Sequence, residues 1–172
     1  GDEYDFEFFG DSWKKLTSLR LGRNFLRGNS DHGYSLPKGI SQKLTSLTAI
    51  DISSNFFIGT VPDEFLSMGD LKLLKLGNSG LKFQDKQEEV LNQITSNLLS
   101  LVELDLTKCN VKGFIPTQIG MLKNLQSIKF SLNTLKGTIP SQLGLLTALT
   151  DIRLDITELS GTIPPGLFAL TN

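Results

Sequence analysis

The chain has 172 residues, with 17 Lys and Arg against 18 Asp and Glu, so its formal net charge is −1. This length fits one domain with a sizeable core, and the charge balance gives no reason to expect nucleic acid or an anionic membrane as partner. No apolar run approaches the roughly 18 residues that span a bilayer. The single cysteine, Cys109, excludes an intrachain disulfide and a cysteine-based metal site.

A short motif recurs along the chain at a spacing of 24 residues. Residues 113–116, 137–140 and 161–164 all read Gly-x-Ile-Pro, and residues 59–62 are an earlier copy with valine. Upstream lies the pattern L-x-x-L-x-L-x-x-N-x-L-x-G, with apolar and polar substitutes, in six copies. The six copies begin at Leu16, Leu47, Leu71, Leu101, Leu125 and Leu149. Six copies in register are a far stronger signal than a single motif.

The L-x-L pair within each copy alternates as a short strand does. One such strand cannot bury its own apolar face, whereas stacked copies share a continuous core and form a parallel sheet on the concave side. The pattern therefore predicts an α/β solenoid. Its six repeats, over residues 13–170, and its partial ends make a single domain of residues 1–172.

A polar residue stands three positions after the second strand leucine, where the chain must turn inward. A buried amide there can bond backbone groups of neighbouring turns and form a ladder. The predicted ladder is Asn24, Asn55, Ser79, Cys109, Asn133 and Thr157. Because a thiol is a weak donor, the rung at Cys109 should be the weakest, and we interpret this residue as a buried rung rather than a reactive thiol.

Two insertions interrupt the repeat, since Leu19 lies 31 residues before Ile50 and Leu74 lies 30 residues before Leu104. The first is a polar loop over residues 28–35, and we interpret its His32 as a solvated loop histidine.

The second insertion, over about residues 85–98, replaces the Gly-x-Ile-Pro turn. Asp85 followed by Glu88 matches a helix-start box, and apolar residues then recur at helical spacing. We predict an amphipathic helix over residues 86–97 on the convex side. It either packs its apolar stripe on the solenoid or docks a partner.

The two ends differ from the repeats. Residues 1–12, with an aromatic cluster that continues to Trp13, are either an N-terminal cap or the tail of a preceding repeat. Leu170 opens a seventh repeat with no polar cap after it, so we expect a longer protein of which this chain is part.

Side chains between the strand leucines should point out of the concave sheet. The middle column is charged throughout: Arg20, Asp51, Lys75, Asp105, Lys129 and Arg153. It is either a self-neutralising ladder or a recognition strip that leaves Lys129 and Arg153 partly unpaired for an acidic group. The flanking column puts Leu132 and Ile156 beside them, so this half of the concave face is the predicted contact site.

The whole pattern, L-x-x-L-x-L-x-x-N-x-L-x-G-x-I-P, resembles the plant-type leucine-rich-repeat family, including plant and algal receptor-like proteins, over residues 13–170. The resemblance implies a curved right-handed superhelix that serves as a recognition surface, as in a receptor ectodomain. It also implies an extracellular or membrane-attached location, although neither paired cap cysteines nor an Asn-x-Ser/Thr sequon supports one.

No catalytic constellation is present, since the one histidine and the one cysteine fall in different coils and no phosphate-binding or metalloprotease motif occurs. We therefore predict no enzyme and no cofactor. The expected function is recognition of another protein or peptide through the concave face, without nucleic-acid binding or membrane insertion by this segment. The alternative is a structural subunit of a large complex. Ice binding is disfavoured because the central column is charged.

Overall fold

The computed structural model describes residues 14–27, 44–83 and 87–170. Each copy of the pattern builds one turn of a solenoid, and we number these turns coil 1 to coil 6. The expectations for residues 1–12, for Trp13, for the loop with His32 and for Asp85 lie outside the described residues.

The concave face is a six-stranded parallel sheet with one short strand from each coil. The strands are β1 (Ser18–Arg20), β2 (Ala49–Asp51), β4 (Leu73–Lys75), β6 (Glu103–Asp105), β8 (Ser127–Lys129) and β10 (Asp151–Arg153). They stand in chain order, and equivalent residues are paired, as in Leu19 with Ile50 and Ile50 with Leu74. The predicted solenoid and its concave parallel sheet are confirmed.

A second set of strands follows the ladder position in coils 2 to 6 and was not predicted. These strands are β3 (Gly59–Thr60), β5 (Leu81–Lys82), β7 (Lys112–Gly113), β9 (Thr134–Thr138) and β11 (Glu158–Ser160). They pair in parallel: β3 pairs with β5, and β9 lies between β7 and β11 and pairs with both. We call the surface that they form the lateral face.

In the described part of the chain, the convex side consists of short 3₁₀ helices and one α-helix. The 3₁₀ helices are Asp63–Ser67, Thr117–Met121, Ser141–Leu145 and Pro165–Ala169. In coil 3 the α-helix α1 (Val90–Asn97) takes their place and packs between the 3₁₀ helices of coils 2 and 4. It starts four residues later than the predicted range of 86–97. Glu88 precedes the helix, and Glu89 at the N-cap makes no side-chain capping bond.

The core is one continuous apolar cluster that runs through the coils. The strand leucines and the convex apolar residues meet in it, so that Leu104, Ile128 and Ile119 are all at most 1% exposed. The equivalent residues of the outermost coils, such as Leu19 and Ile152, are only partly buried. Each coil therefore depends on both neighbours for burial, which is the physical basis of a solenoid.

Gly137, at the turn into the Ile-Pro segment, must be glycine for two reasons, its backbone conformation and the lack of space for a side chain. Its φ is +81°, and a Cβ atom would come within 2.6 Å of the Phe114 ring, which lies over it from the preceding coil. We expect Gly137→Ala to lower the free energy of unfolding by about 1–3 kcal/mol, measured by urea unfolding. The control is Gly69→Ala, where the nearest atom lies 3.6 Å away and the change should cost less.

Candidate functional site

The middle column of the concave face lies where the sequence puts it. Strand pairing sets Arg20 beside Asp51, Asp51 beside Lys75, and Lys129 beside Arg153. The side chains of Arg20 and Arg153 are exposed and the others are half-buried. One charged residue per coil therefore follows the sheet from end to end.

The ion pairs of this face run obliquely to the column. Lys75 pairs with Glu103, and Lys129 Nζ lies 3.3 Å from a carboxylate oxygen of Asp151. Both acids stand two positions before the column residue of their own strand. The Asp105 carboxylate instead accepts a hydrogen bond from the backbone N–H of Thr107 at 2.9 Å.

Asp151 is the centre of a small charged cluster at the C-terminal end of the face. Arg153 Nε and Lys129 Nζ each lie 3.3 Å from its carboxylate. Partial burial alone would raise the pKa of Asp151, but hydrogen bonds and charge from Arg153 and Lys129 outweigh burial and lower that pKa below its usual value. Two cations thus share one carboxylate, and any negative group of a partner can compete for them.

The flanking column has an unusual backbone that is common to all six coils. Its residues all have φ between 51° and 58°: Arg23, Ser54, Asn78, Lys108, Leu132 and Ile156. In coils 1 to 5 the N–H of this residue donates to a carbonyl of the next coil, as from Leu132 to Asp155 at 3.1 Å. Ile156 of coil 6 has the same left-handed conformation, so this turn recurs in every repeat whatever residue occurs there.

Leu132 and Ile156 are the two members of this column that suit the conformation least. A left-handed backbone costs an L-residue roughly 1–2 kcal/mol, and a β-branched side chain such as that of Ile156 is a marked outlier there. Both side chains are exposed, at 42% for Leu132 and 71% for Ile156. Because they are exposed, burial of apolar surface offsets little of this conformational cost. Strain of this kind is characteristic of functional surfaces.

The asparagine ladder beneath this column couples one coil to the next at Asn133. Its Nδ2 donates to the carbonyl oxygens of Leu106 in coil 4 and Phe130 in its own coil, at 2.8 Å each. Its Oδ1 accepts from the backbone N–H groups of Cys109 at 3.1 Å and Val111 at 2.9 Å. The side chain is buried and saturated with bonds.

Asn55 of coil 2 likewise bonds backbone groups of the preceding coil, coil 1. It donates to the Leu21 carbonyl at 2.8 Å and accepts from the Leu26 N–H at 3.0 Å. Asn24 departs from the prediction of a buried rung: it is exposed, and its amide donates to Leu21 and Gly22 of its own coil.

The shorter rungs bond only within their own coils. The Ser79 hydroxyl donates to the Leu76 carbonyl, and that of Thr157 donates to Leu154 at 2.8 Å. Cys109 Sγ is 3.6 Å from the Thr107 carbonyl, which is a long contact. A thiol or hydroxyl is too short to reach the neighbouring coil, as the amides of Asn55 and Asn133 do.

Burial, with a further contribution from the charge of Asp105, raises the pKa of the Cys109 thiol well above its usual range. We therefore expect iodoacetamide at pH 8 to leave the native protein unmodified and to alkylate it fully in urea, followed by intact mass. Because the chain has one cysteine, the mass reports this residue alone. Rapid alkylation of the native protein would show that the thiol is accessible.

Within residues 14–27, 44–83 and 87–170, no group of three or more His, Cys, Asp and Glu side chains is placed to hold a metal ion. None of the helices described is both long enough and apolar enough to cross a membrane.

The lateral face carries exposed aromatic residues that the sequence analysis did not single out. Phe25 and Phe56 stack with ring centroids 6.1 Å apart, and Lys136 Nζ lies 5.4 Å from the Phe114 ring centroid. Exposed and buried side chains alternate after the ladder position, as they do along a strand. This alternation was the sequence signal that could have revealed the exposed aromatic residues.

The coil, its parallel concave sheet and its amide ladder define a leucine-rich-repeat solenoid. The family profile described as Leucine Rich Repeat matches residues 46–68 and 100–122. The chain is a leucine-rich-repeat protein that resembles plant receptor-like proteins and receptor ectodomains.

Three relatives illustrate the resemblance. Receptor-like protein 52 of Arabidopsis thaliana is 31% identical over 134 residues, which are 70% of this chain and 15% of that protein. An adenylate cyclase of Schizosaccharomyces pombe is 30% identical over 131 residues, 74% of this chain and 7% of that protein. The structure of a plant peptide hormone receptor, RGFR1 in complex with RGF2, has a TM-score of 0.71 and 29% identity, covering 91% of this chain and 23% of that chain. The chain thus spans a small part of each relative.

Proposed function

We propose that this chain is a recognition module that binds another protein or peptide through the C-terminal half of its concave face. We define this contact site as Lys129, Leu132, Asp151, Arg153 and Ile156. The observation that carries the proposal is the pair of exposed aliphatic side chains in strained left-handed conformations, in adjacent coils. The likeness to a receptor that was solved in complex with RGF2 supports the same conclusion.

The chemistry of the contact site defines the partner. Leu132 and Ile156 offer an apolar anchor, since equivalent residues of neighbouring strands lie about 4.8 Å apart. Lys129 and Arg153 stand beside them and share the carboxylate of Asp151. A partner segment with an apolar side chain next to an acidic group satisfies both features. The apolar contact provides affinity and the charges provide orientation.

The experiment is a selection of binders from a displayed random-peptide library against the full chain, followed by lysine footprinting with and without a selected peptide. We expect the bound peptide to slow acetylation of Lys129, while Lys123 on the convex side and Lys82 on the lateral face react as before. Enrichment of peptides with adjacent apolar and acidic residues is expected. Protection of Lys82 or Lys123 without protection of Lys129 would refute the proposed location.

A second candidate function is that of a structural subunit in a larger assembly. Helix α1 buries Val90, Leu91 and Ile94 against the solenoid, so its apolar stripe is already occupied. The observation in favour is instead that Met121 and Leu145 are exposed at equivalent convex positions of adjacent coils. Native mass spectrometry of the protein from its source separates the two: a stoichiometric complex favours the scaffold, and a monomer favours the recognition module.

A further inference from the structure

Hydrogen bonds join neighbouring coils at three places around each turn. The concave strands pair, a ladder amide bonds the preceding coil, and the lateral strands pair. The junction between coils 4 and 5 has all three, since β6 pairs with β8, Asn133 bonds backbone groups of coil 4, and β7 pairs with β9. Because hydrogen bonds require fixed distances and angles whereas apolar contacts are non-directional, these links determine how rigidly one coil is held on the next.

The junction between coils 3 and 4 keeps the concave link and lacks the ladder link. On the concave side β4 pairs with β6, and Lys75 forms an ion pair with Glu103. The ladder position of coil 4 is Cys109, whose Sγ lies 3.6 Å from the carbonyl oxygen of Thr107 in its own coil. The side chain at this position therefore provides no bond to coil 3, whereas that of Asn133 bonds coil 5 to coil 4.

The lateral strands are also interrupted at this junction. β5 and β7 belong to separate sheets. In place of strand pairing, the described residues show two single backbone bonds, from Phe83 N–H to the Cys109 carbonyl at 3.4 Å and from Lys112 N–H to the Gln87 carbonyl at 2.9 Å. The junctions of coil 2 with coil 3 and of coil 5 with coil 6 lack a bridging amide as well, but both keep paired lateral strands.

Helix α1 is bonded to the N-terminal side of this junction. Asn97 Nδ2 donates to the Leu66 carbonyl of coil 2 at 3.0 Å, whereas none of the described hydrogen bonds joins α1 to coil 4. The segment just before the helix makes one ion pair across the junction, from Glu88 to Lys136 Nζ of coil 5 at 4.0 Å. Both side chains are exposed, so this pair contributes little. The weak boundary therefore lies between α1 and coil 4.

We propose that the solenoid consists of two cooperative units, coils 1–3 with α1 and coils 4–6, which open against each other at the junction between coils 3 and 4. The stability of a solenoid is approximately a sum of coil and junction contributions, so a boundary forms where a junction has the fewest links. The paired strands β4 and β6 act as the hinge, and the lateral side opens. Opening exposes Cys109, which is 0% exposed in the closed stack. The contact site lies wholly in coils 4–6, so this inference does not depend on what that site binds.

Cys109 reports the opening on the unmodified full chain, because it lies at the junction and is the chain's single cysteine. Alkylation by iodoacetamide at pH 8 is measured in urea well below the unfolding midpoint, together with amide hydrogen exchange by mass spectrometry. We expect alkylation at least about tenfold faster than global unfolding permits. We also expect peptides from residues 44–83 and 90–97 to share one opening free energy and peptides from residues 101–170 to share another. One free energy and one urea dependence for Cys109 and all coils would overturn the proposal, because the stack would then open as a single unit.

The variant Cys109→Asn supplies the missing amide at the junction. Its amide should bond the Leu76 carbonyl and the Ser79 N–H, which are the coil 3 equivalents of groups that Asn133 bonds in coil 4. Exchange in the less stable unit should slow at least about tenfold, and the two opening free energies should converge. Thr157→Asn is the matched control, since it adds the same amide between coils 5 and 6, where lateral strands already pair, and should leave the two free energies apart. A folded Cys109→Asn protein whose units still open separately would overturn this explanation of the boundary, and the measurement on the unmodified chain needs no variant.

Discussion

Replacing Asn133 by alanine should lower the free energy of unfolding by about 4 kcal/mol or more, because five buried backbone groups lose a hydrogen bond at once and each group left without a partner costs about 1–3 kcal/mol. These groups are the carbonyls of Leu106, Phe130 and Ser131 and the N–H groups of Cys109 and Val111. Urea unfolding followed by circular dichroism measures the loss.

Two further variants separate this explanation from a general effect of asparagine. Asn24→Ala removes the equivalent residue of coil 1, which is exposed and bonds only within its coil, and should cost less than about 1 kcal/mol. Asn133→Asp keeps the shape but turns the donor into an acceptor that faces three carbonyl oxygens. It should be as damaging as alanine. A mild effect of Asn133→Asp would show that the donated bonds do not carry the stability.

Replacing Ile156 by asparagine should stabilise the protein, although it removes an apolar side chain. Asparagine tolerates the left-handed conformation, as at Asn78 in the same column, whereas isoleucine at φ 54° is strained. Because Ile156 is largely exposed, little buried area is lost. We expect a gain of about 1 kcal/mol, or a rise in Tm of about 2–4 °C for a domain of this size.

Leu145→Asn is the control for Ile156→Asn. Leu145 is also an exposed aliphatic residue near the C-terminal end, but it lies on the convex side and has no positive φ. Its replacement should leave Tm unchanged or slightly lower. If Ile156→Asn lowers Tm as well, the isoleucine stabilises the fold and the strain argument for the contact site fails.

The repeat period predicted the concave sheet. The L-x-L pair of each copy places two apolar side chains on one face of a short strand, and copies that recur every 24 residues bury that face by stacking in parallel. The positions of the middle column followed directly. The ion pairs did not, because long side chains reach diagonally, so that Lys129 meets Asp151 rather than a column neighbour. The late start of α1 was missed because the Asp85–Glu88 spacing resembles a capping box.

The left-handed column could not be predicted from residue types. Arginine, serine, lysine, leucine and isoleucine all occur there, and none of them marks a positive φ as glycine does. In coils 1 to 5 the conformation is accompanied by a bond to the next coil, as from Arg23 to Ser53 at 2.9 Å, which exists only once the coils stack. Leu132 and Ile156 differ from the rest of this column in being apolar and exposed, and only the structure shows that these two side chains also sit on a left-handed backbone.

The most direct measurement is the affinity of a library-selected peptide for the Leu132→Asn, Ile156→Asn double variant, taken together with its unfolding midpoint. The account predicts that binding weakens at least about tenfold, the loss expected for removal of an anchor residue, while the midpoint does not fall. The matched convex variant, Met121→Asn with Leu145→Asn, should bind as the unmodified chain does. Undiminished binding by the concave variant, or lost binding by the convex one, would contradict the assignment of recognition to this face.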